Sequence, residues 1–321
     1  MRYRLFGRTG LRVSELFLGT MVLTDPGETR RIIDAYADAG GNVLDTASAY
    51  GDGEELLGSV VERRDRFVLA TKYTLSRDAR DPNGAGNHRK NLVLSLERSL
   101  RRLRTDYVDV LWVHIWDRHT PLEETMRALD DAVRAGKILY VGISDAPAWV
   151  VARANTLAQW RDWTPFAGLQ VPYNLLQRDV ERELIPMAED FGMSVAAWAP
   201  LARGRLAGGS RRAEPGSLTP RDEAAAAAVR AVADELGATP AQVALAWTRS
   251  RSAAVHPLVG VSSVGQLTEN LGALDLVLPD EAVRGLEAAV DFEPGFPADF
   301  IAECEPNPFV FGDHATAVAG R

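Results

Sequence analysis

One cysteine, Cys304, stands among 321 residues. No disulfide can therefore form within the chain, none to a partner is expected, and a reducing compartment suits it. Basic side chains are in deficit: 36 Lys and Arg against 44 Asp and Glu leave a net charge of -8. Binding nucleic acid requires a basic face to neutralise phosphates, so no nucleic-acid partner is expected. No apolar run is long enough to span a bilayer, and residues 1–7 lack the apolar core of a signal peptide. No membrane partner is expected, and the chain is read as cytoplasmic. No stretch has the composition of a disordered linker, and no metal site is read from the sequence.

Apolar residues make up 46% and charged residues 25%, enough to build a globular protein with a sizeable core. The length suits one large domain or two ordinary ones; without a linker, residues 1–321 are read as one. Short strands at residues 3–5 and 11–13 flank Gly7-Arg8-Thr9-Gly10, a hairpin signature. From Leu16 onward, eight apolar strand patterns alternate with helical ones, at 16–20, 43–44, 67–71, 108–113, 138–143, 168–171, 193–198 and 254–258. Regular alternation argues for a parallel sheet, and eight units in this length favour an α/β (β/α)8 TIM barrel over an open sheet. An N-terminal β-hairpin would precede it. A C-terminal tail, residues 294–321, bears Pro and Phe without clear periodicity.

Three of these strands end on chemistry. The second runs into Asp45, then Thr46-Ala47-Ser48-Ala49 and Tyr50-Gly51. The third stops at Lys72 and the fourth at His114. In parallel α/β folds, reactive side chains collect at the C-terminal ends of strands. Reducing a carbonyl needs a hydride at carbon and a proton at oxygen. A tyrosine can give the proton, although its ordinary pKa is about 10. A neighbouring ammonium stabilises the phenolate, a carboxylate can hold that ammonium, and an imidazole can polarise the carbonyl oxygen. Taken singly, Asp45 and Lys72 equally suit a structural ion pair, Tyr50 packing, and His114 a core position. Their conjunction favours chemistry.

Asp45-Thr46-Ala47 with Tyr50-Gly51, Ala70-Thr71-Lys72, Val113-His114, Gly142-Ile143-Ser144, Gln170-Val171-Pro172-Tyr173-Asn174-Leu175 and Ala199-Pro200-Leu201 resemble the aldo-keto reductase superfamily. The resemblance runs from Tyr3 to about Leu286. It implies a nicotinamide cofactor bound extended, carbonyl reduction, and a tetrad of Asp45, Tyr50, Lys72 and His114 with Tyr50 as proton donor. It further implies that Ser144, Asp145 and Gln170 hold the carboxamide and that Trp198 stacks on the nicotinamide. Pro200, Leu201, Arg203 and Arg205 would lie over the pyrophosphate, in a loop that also carries Arg211 and Arg212. Gly260, Ser262, Ser263, Gln266 and Asn270 would receive the adenosine end. Gly19 and Thr20, at the end of the first strand, and Asp45 are counted with the cofactor residues.

Two departures stand out. Asp145 replaces an asparagine common in relatives; it can accept a hydrogen bond from the amide nitrogen but cannot donate one while ionised. Ser262 stands where many relatives place a basic residue against the 2′-phosphate of NADP. NADP(H) is therefore expected to be favoured modestly, with NAD(H) usable. The substrate pocket is assigned to Met21, Tyr50, Tyr73, His114 and Trp116, with Trp112 near the mouth, for a small-molecule aldehyde, ketone or keto-sugar. The tail phenylalanines Phe296, Phe300, Phe309 and Phe311 are read either as further walls or as packing on the flank. A competing reading is a cofactor-sensing regulatory subunit resembling the potassium-channel β subunits; another is a barrel with unrelated chemistry that binds no nicotinamide.

Overall fold

The computed structural model describes residues 1–76, 78–207 and 218–317. Among the described residues there are ten strands: β1 (Tyr3–Leu5), β2 (Arg12–Ser14), β3 (Phe17–Gly19), β4 (Val43–Asp45), β5 (Val68–Tyr73), β6 (Val108–Val113), β7 (Ile138–Ser144), β8 (Phe166–Pro172), β9 (Ser194–Trp198) and β10 (Val255–Gly260). The first two pair antiparallel as the expected hairpin. The other eight form a closed parallel barrel in chain order, with β10 hydrogen-bonded to both β9 and β3.

The helices are α1 (Pro26–Asp38), α2 (Gly53–Val60), α3 (Arg89–Leu103), α4 (Leu122–Arg134), α5 (Ala148–Arg161), α6 (Leu184–Asp190), α7 (Pro220–Leu236), α8 (Pro240–Ser250), α9 (Val264–Leu271), α10 (Asp280–Ala288), α11 (Ala298–Cys304) and α12 (Pro308–Phe311). Several start where local chemistry dictates. Thr219 and Thr239 close capping boxes with Asp222 and Gln242, and proline follows each cap, which satisfies backbone donors that a helix start leaves open. None of the described helices is long and apolar enough to cross a membrane.

Strand alternation divides the apolar residues into two cores. Leu44, Leu69, Leu111, Val141, Ile143, Leu169, Val195 and Ala197 face the helices. Val43, Val68, Ala70, Val110, Trp112, Ala196 and Leu258 fill the barrel, joined by Phe6 and Val13 from the hairpin. Trp112 is the largest of these. A Cβ on Gly142 would lie 2.3 Å from its ring and one on Gly168 2.8 Å, so two glycines on adjoining strands make the room it occupies. Phe6 meets it edge-on, ring centroids 6.0 Å apart. Trp112 is thus interior packing against the hairpin plug and does not belong to the mouth.

The tail is less irregular than its sequence suggests, since α11 and α12 lie within it. Its start is tied down by Arg182, which donates to the carbonyls of Glu293 and Pro294. Phe296 and Phe300 pack against each other, 6.3 Å between centroids, and both remain exposed.

Candidate active site

The same alternation that builds the two cores aims the strand-end side chains. Val43 points into the barrel, so Asp45 does; Val68 and Ala70 point in, so Lys72 does. Gln170 and Trp198 follow by the same parity from their neighbours on β8 and β9. Asp45 and Lys72 are buried. The Lys72 ammonium donates to Asp45 Oδ1 in a very short contact and to the Thr46 carbonyl at 2.8 Å. Gln170 Nε2 donates to Asp45 Oδ2 at 3.1 Å. Both carboxylate oxygens are therefore satisfied, as a charge pair out of water requires.

Tyr50 lies over this pair, with the Lys72 Nζ 5.0 Å from its ring centroid. His114 meets Tyr50 edge-on, centroids 6.0 Å apart. The four predicted side chains are thus brought together at the C-terminal end of the barrel. Burial raises the Tyr50 pKa above its ordinary value, and the Lys72 ammonium only partly offsets that. With desolvation the larger effect, the phenol stays protonated. His114 is pushed down to about 3, by burial first and Lys72 second, so its imidazole is neutral. Its Nδ1 is buried without a hydrogen-bond partner among the described residues.

The loops that carry these groups are braced by residues that sequence reasoning missed. Asn87 is buried; its amide donates to Thr74 Oγ1 and the Ile115 carbonyl, and its oxygen accepts from the Asp117 N–H. It thereby fastens the loop after Lys72 to the loop after His114. Arg102, from the end of α3, donates to the Gly51 carbonyl next to Tyr50 and to Glu55 at 3.1 Å, and pairs with Glu54 at 3.5 Å. Glu54 in turn accepts from Thr71 Oγ1 at 2.7 Å. No local pattern reveals such contacts, because each joins elements far apart in the chain.

Tyr73 does not belong to the substrate pocket. It follows Lys72 directly, so its side chain lies on the opposite face, buried among the helices, and its hydroxyl donates to the Asn87 carbonyl at 3.1 Å. Thr20 is likewise buried, its hydroxyl given to the Asp45 carbonyl at 3.0 Å, and it holds the strand end. Gly19 ends β3 beside Asp45. Met21 is exposed in the following turn. Trp116 packs edge-on against Trp149, centroids 5.6 Å apart, and its backbone N–H donates to the Asp145 carbonyl at 3.4 Å. Trp149 was not foreseen; the available signal was an aromatic residue in the first turn of the helix after a strand ending at the mouth.

Ser144 and Gln170 lie side by side, at partnered positions of β7 and β8. Asp145 follows with φ 48, and its Oδ1 accepts the Trp198 indole N–H at 3.2 Å. Acceptors at Gln170 and Asp145 beside the broad face of an indole fit a carboxamide-bearing aromatic ring by the chemistry of their donors and acceptors. Pro200 is buried and Leu201 half-buried where the chain leaves β9. Arg203 adopts φ 58, and Arg205 pairs with Asp222 at 3.8 Å. Arg211 and Arg212 lie outside the described residues. Past Gly260, the backbone N–H and hydroxyl of Ser262 both donate to Gln266 Oε1, at 2.9 and 3.1 Å, and Ser263 caps α9. Asn270 is buried on that helix. An acidic neighbour not foreseen, Glu28, accepts the Val264 N–H at 3.1 Å; its pKa is lowered by Arg31 and by that backbone bond.

A closed parallel barrel whose mouth joins a protonated phenol, an ion-paired ammonium and a neutral imidazole is built for moving a proton to or from a substrate oxygen, the chemistry of a barrel oxidoreductase. Residues 15–291 match the model of the Aldo/keto reductase family, and the chain belongs to that family. It is 39% identical over 319 residues to a norsolorinic acid reductase of Emericella nidulans, covering 92% of this chain and 82% of that one. An aryl-alcohol dehydrogenase of Pestalotiopsis microspora is 37% identical over 326 residues, with 94% and 85% covered. A probable aryl-alcohol dehydrogenase of Saccharomyces cerevisiae is 37% identical over 297 residues, with 85% and 90% covered.

The burial of the Asp45–Lys72 pair sets an expectation for stability. Asp45→Asn leaves a buried ammonium without its counter-charge and should cost about 3–5 kcal/mol, whereas replacing the whole pair with apolar groups is often close to neutral. Urea denaturation should show a large loss in Asp45→Asn and recovery of most of it when Lys72→Met is added. Equal losses in the single and double variants would show that the two groups are not energetically coupled.

Proposed function

We propose that the chain reduces aldehyde or ketone carbonyls on aryl compounds to alcohols, with hydride supplied by a nicotinamide coenzyme and the proton by Tyr50. The observation that carries this reading is the meeting of Tyr50, Lys72, Asp45 and His114 at one end of the barrel. A carbonyl oxygen set between the Tyr50 hydroxyl and the His114 imidazole would accept hydrogen bonds from both, provided the neutral imidazole presents an N–H. As negative charge develops on that oxygen, the Tyr50 proton follows it. The Lys72 ammonium, held by Asp45, then faces the phenolate left behind. Such preorganised charge is worth most where water is excluded.

Aryl substrates are favoured by two observations. Trp116, in the loop after β6, and Trp149, in the first turn of α5, form an aromatic pair at the mouth, and aromatic walls suit planar apolar ligands. Relatives named aryl-alcohol dehydrogenases share more than a third of the sequence. Tyr50→Phe should lower reduction of an aryl aldehyde by at least about a hundredfold, the usual scale of general acid catalysis, with coenzyme affinity nearly unchanged. A purified variant that keeps near-normal turnover would remove Tyr50 from the role. A cofactor-sensing subunit would differ in the wild type itself, binding coenzyme but oxidising it very slowly across the same substrates.

For the coenzyme, NADPH is preferred modestly and NADH is usable. Ser263 and the first turn of α9 offer donors to a phosphate, but the donors of Ser262 are taken by Gln266, Ser262 brings no charge and the Glu28 carboxylate opposes a second anion there. A hydrogen bond to a charged group contributes about 1.5–3 kcal/mol, and each 1.4 kcal/mol is about tenfold. Ser262→Arg should therefore raise the NADPH-to-NADH ratio of kcat/KM by about tenfold. A wild-type preference of roughly a thousandfold, or no gain in the variant, would place the phosphate elsewhere.

A further inference from the structure

Asp145 is a carboxylate at the mouth with no cation of its own among the described residues. Asp45 is paired with Lys72. Asp145 accepts instead from the neutral indole N–H of Trp198, and among the described residues no lysine, arginine or histidine lies within ion-pair distance of it. With Tyr50 protonated and His114 neutral, the cluster holds one ammonium, Lys72, against two carboxylates, Asp45 and Asp145. A half-buried carboxylate left in this state is costly unless something positive joins it.

We propose that Asp145 is the counter-charge for the oxidised nicotinamide ring, so that the protein favours the oxidised over the reduced coenzyme and makes the bound reduced form a stronger hydride donor. This rests on the nicotinamide reading above. The ring is cationic when oxidised and neutral when reduced, so a fixed negative charge beside it stabilises one state and leaves the other nearly untouched. Differential affinity of this kind is equivalent to a lowered reduction potential for the bound pair, about 30 mV for each tenfold in the two-electron couple. The direction is toward carbonyl reduction, with tighter retention of the oxidised product as its cost. Burial raises the Asp145 pKa above its ordinary value, and hydrogen bonds from Trp198 and Ser144 and the field of Lys72 offset that only in part.

Asp145→Asn isolates the charge. Asparagine keeps an oxygen for the Trp198 N–H and tolerates the left-handed backbone at this position. Any change in its hydrogen bond to the carboxamide acts on both coenzyme forms alike and cancels in their ratio. Dissociation constants for NADP+ and NADPH would be measured separately by calorimetric titration of the wild type, Asp145→Asn, and a second uncharged variant, Asp145→Ser. The wild-type ratio of the NADPH constant to the NADP+ constant should fall by about tenfold or more in both variants, about 1.4 kcal/mol. Asp145→Glu should retain most of it. Ratios unchanged within about twofold, with both coenzymes still binding, would overturn the role of Asp145. Failure of the wild type to bind either coenzyme would instead overturn the nicotinamide reading itself.

Discussion

The ion pair between Asp45 and Lys72 is the constraint on which the site depends. Two opposite charges lie where almost no water reaches, and such burial is tolerated only when the remaining donors and acceptors are also satisfied. Here the Thr46 carbonyl takes a second ammonium proton and Gln170 occupies the other carboxylate oxygen. Those partners come from β8 and from the turn after β4, so the pair can be satisfied only once the barrel has closed. Its field then reaches the two groups above it. The same ammonium helps hold His114 neutral and works against the burial that keeps Tyr50 protonated.

Around this pair the backbone is unusual. Thr74, Asp145, Ala199, Ala202 and Arg203 are non-glycine residues with positive φ, and each lies in the segment that leaves a barrel strand at the mouth. Conformations of this kind cost free energy and persist where surrounding contacts impose them. Asn87 and Asn91 clamp Thr74, and Asn174 donates to the Ala199 carbonyl. Buried side-chain amides thus hold the loops in shapes that their own residues would not choose, on a scaffold whose strands are regular.

The barrel was legible because its apolar alternation is regular and its helices carry plain start signals, such as Thr219 and Thr239 before proline. Asp45 and Lys72 were legible for the same reason: a period of two, counted from Val43 or Val68, aims both inward. The misplacement of Tyr73 shows how narrow that inference is, since one residue past Lys72 reverses the face. Trp112 does point inward, but only the glycines on β7 and β8, and Phe6 of the hairpin, decide that its ring is packed as interior. Asn87, Arg102, Glu28 and Trp149 were not foreseen, because their meaning lies in contacts between distant segments. The balance at Tyr50 was also beyond the sequence, which reveals a neighbouring ammonium but not the depth of burial that outweighs it.

The account stands on hydride and proton meeting one carbonyl at this mouth. Its most direct test is a single turnover with an aryl aldehyde and NADPH stereospecifically deuterated at C4 of the nicotinamide, followed by mass spectrometry of the alcohol. For one of the two C4 epimers, the account predicts that the product carbon carries one deuterium per coenzyme oxidised. Oxidation of the coenzyme with no deuterium in the alcohol from either epimer, or tight coenzyme binding with no alcohol formed from any carbonyl, would contradict it.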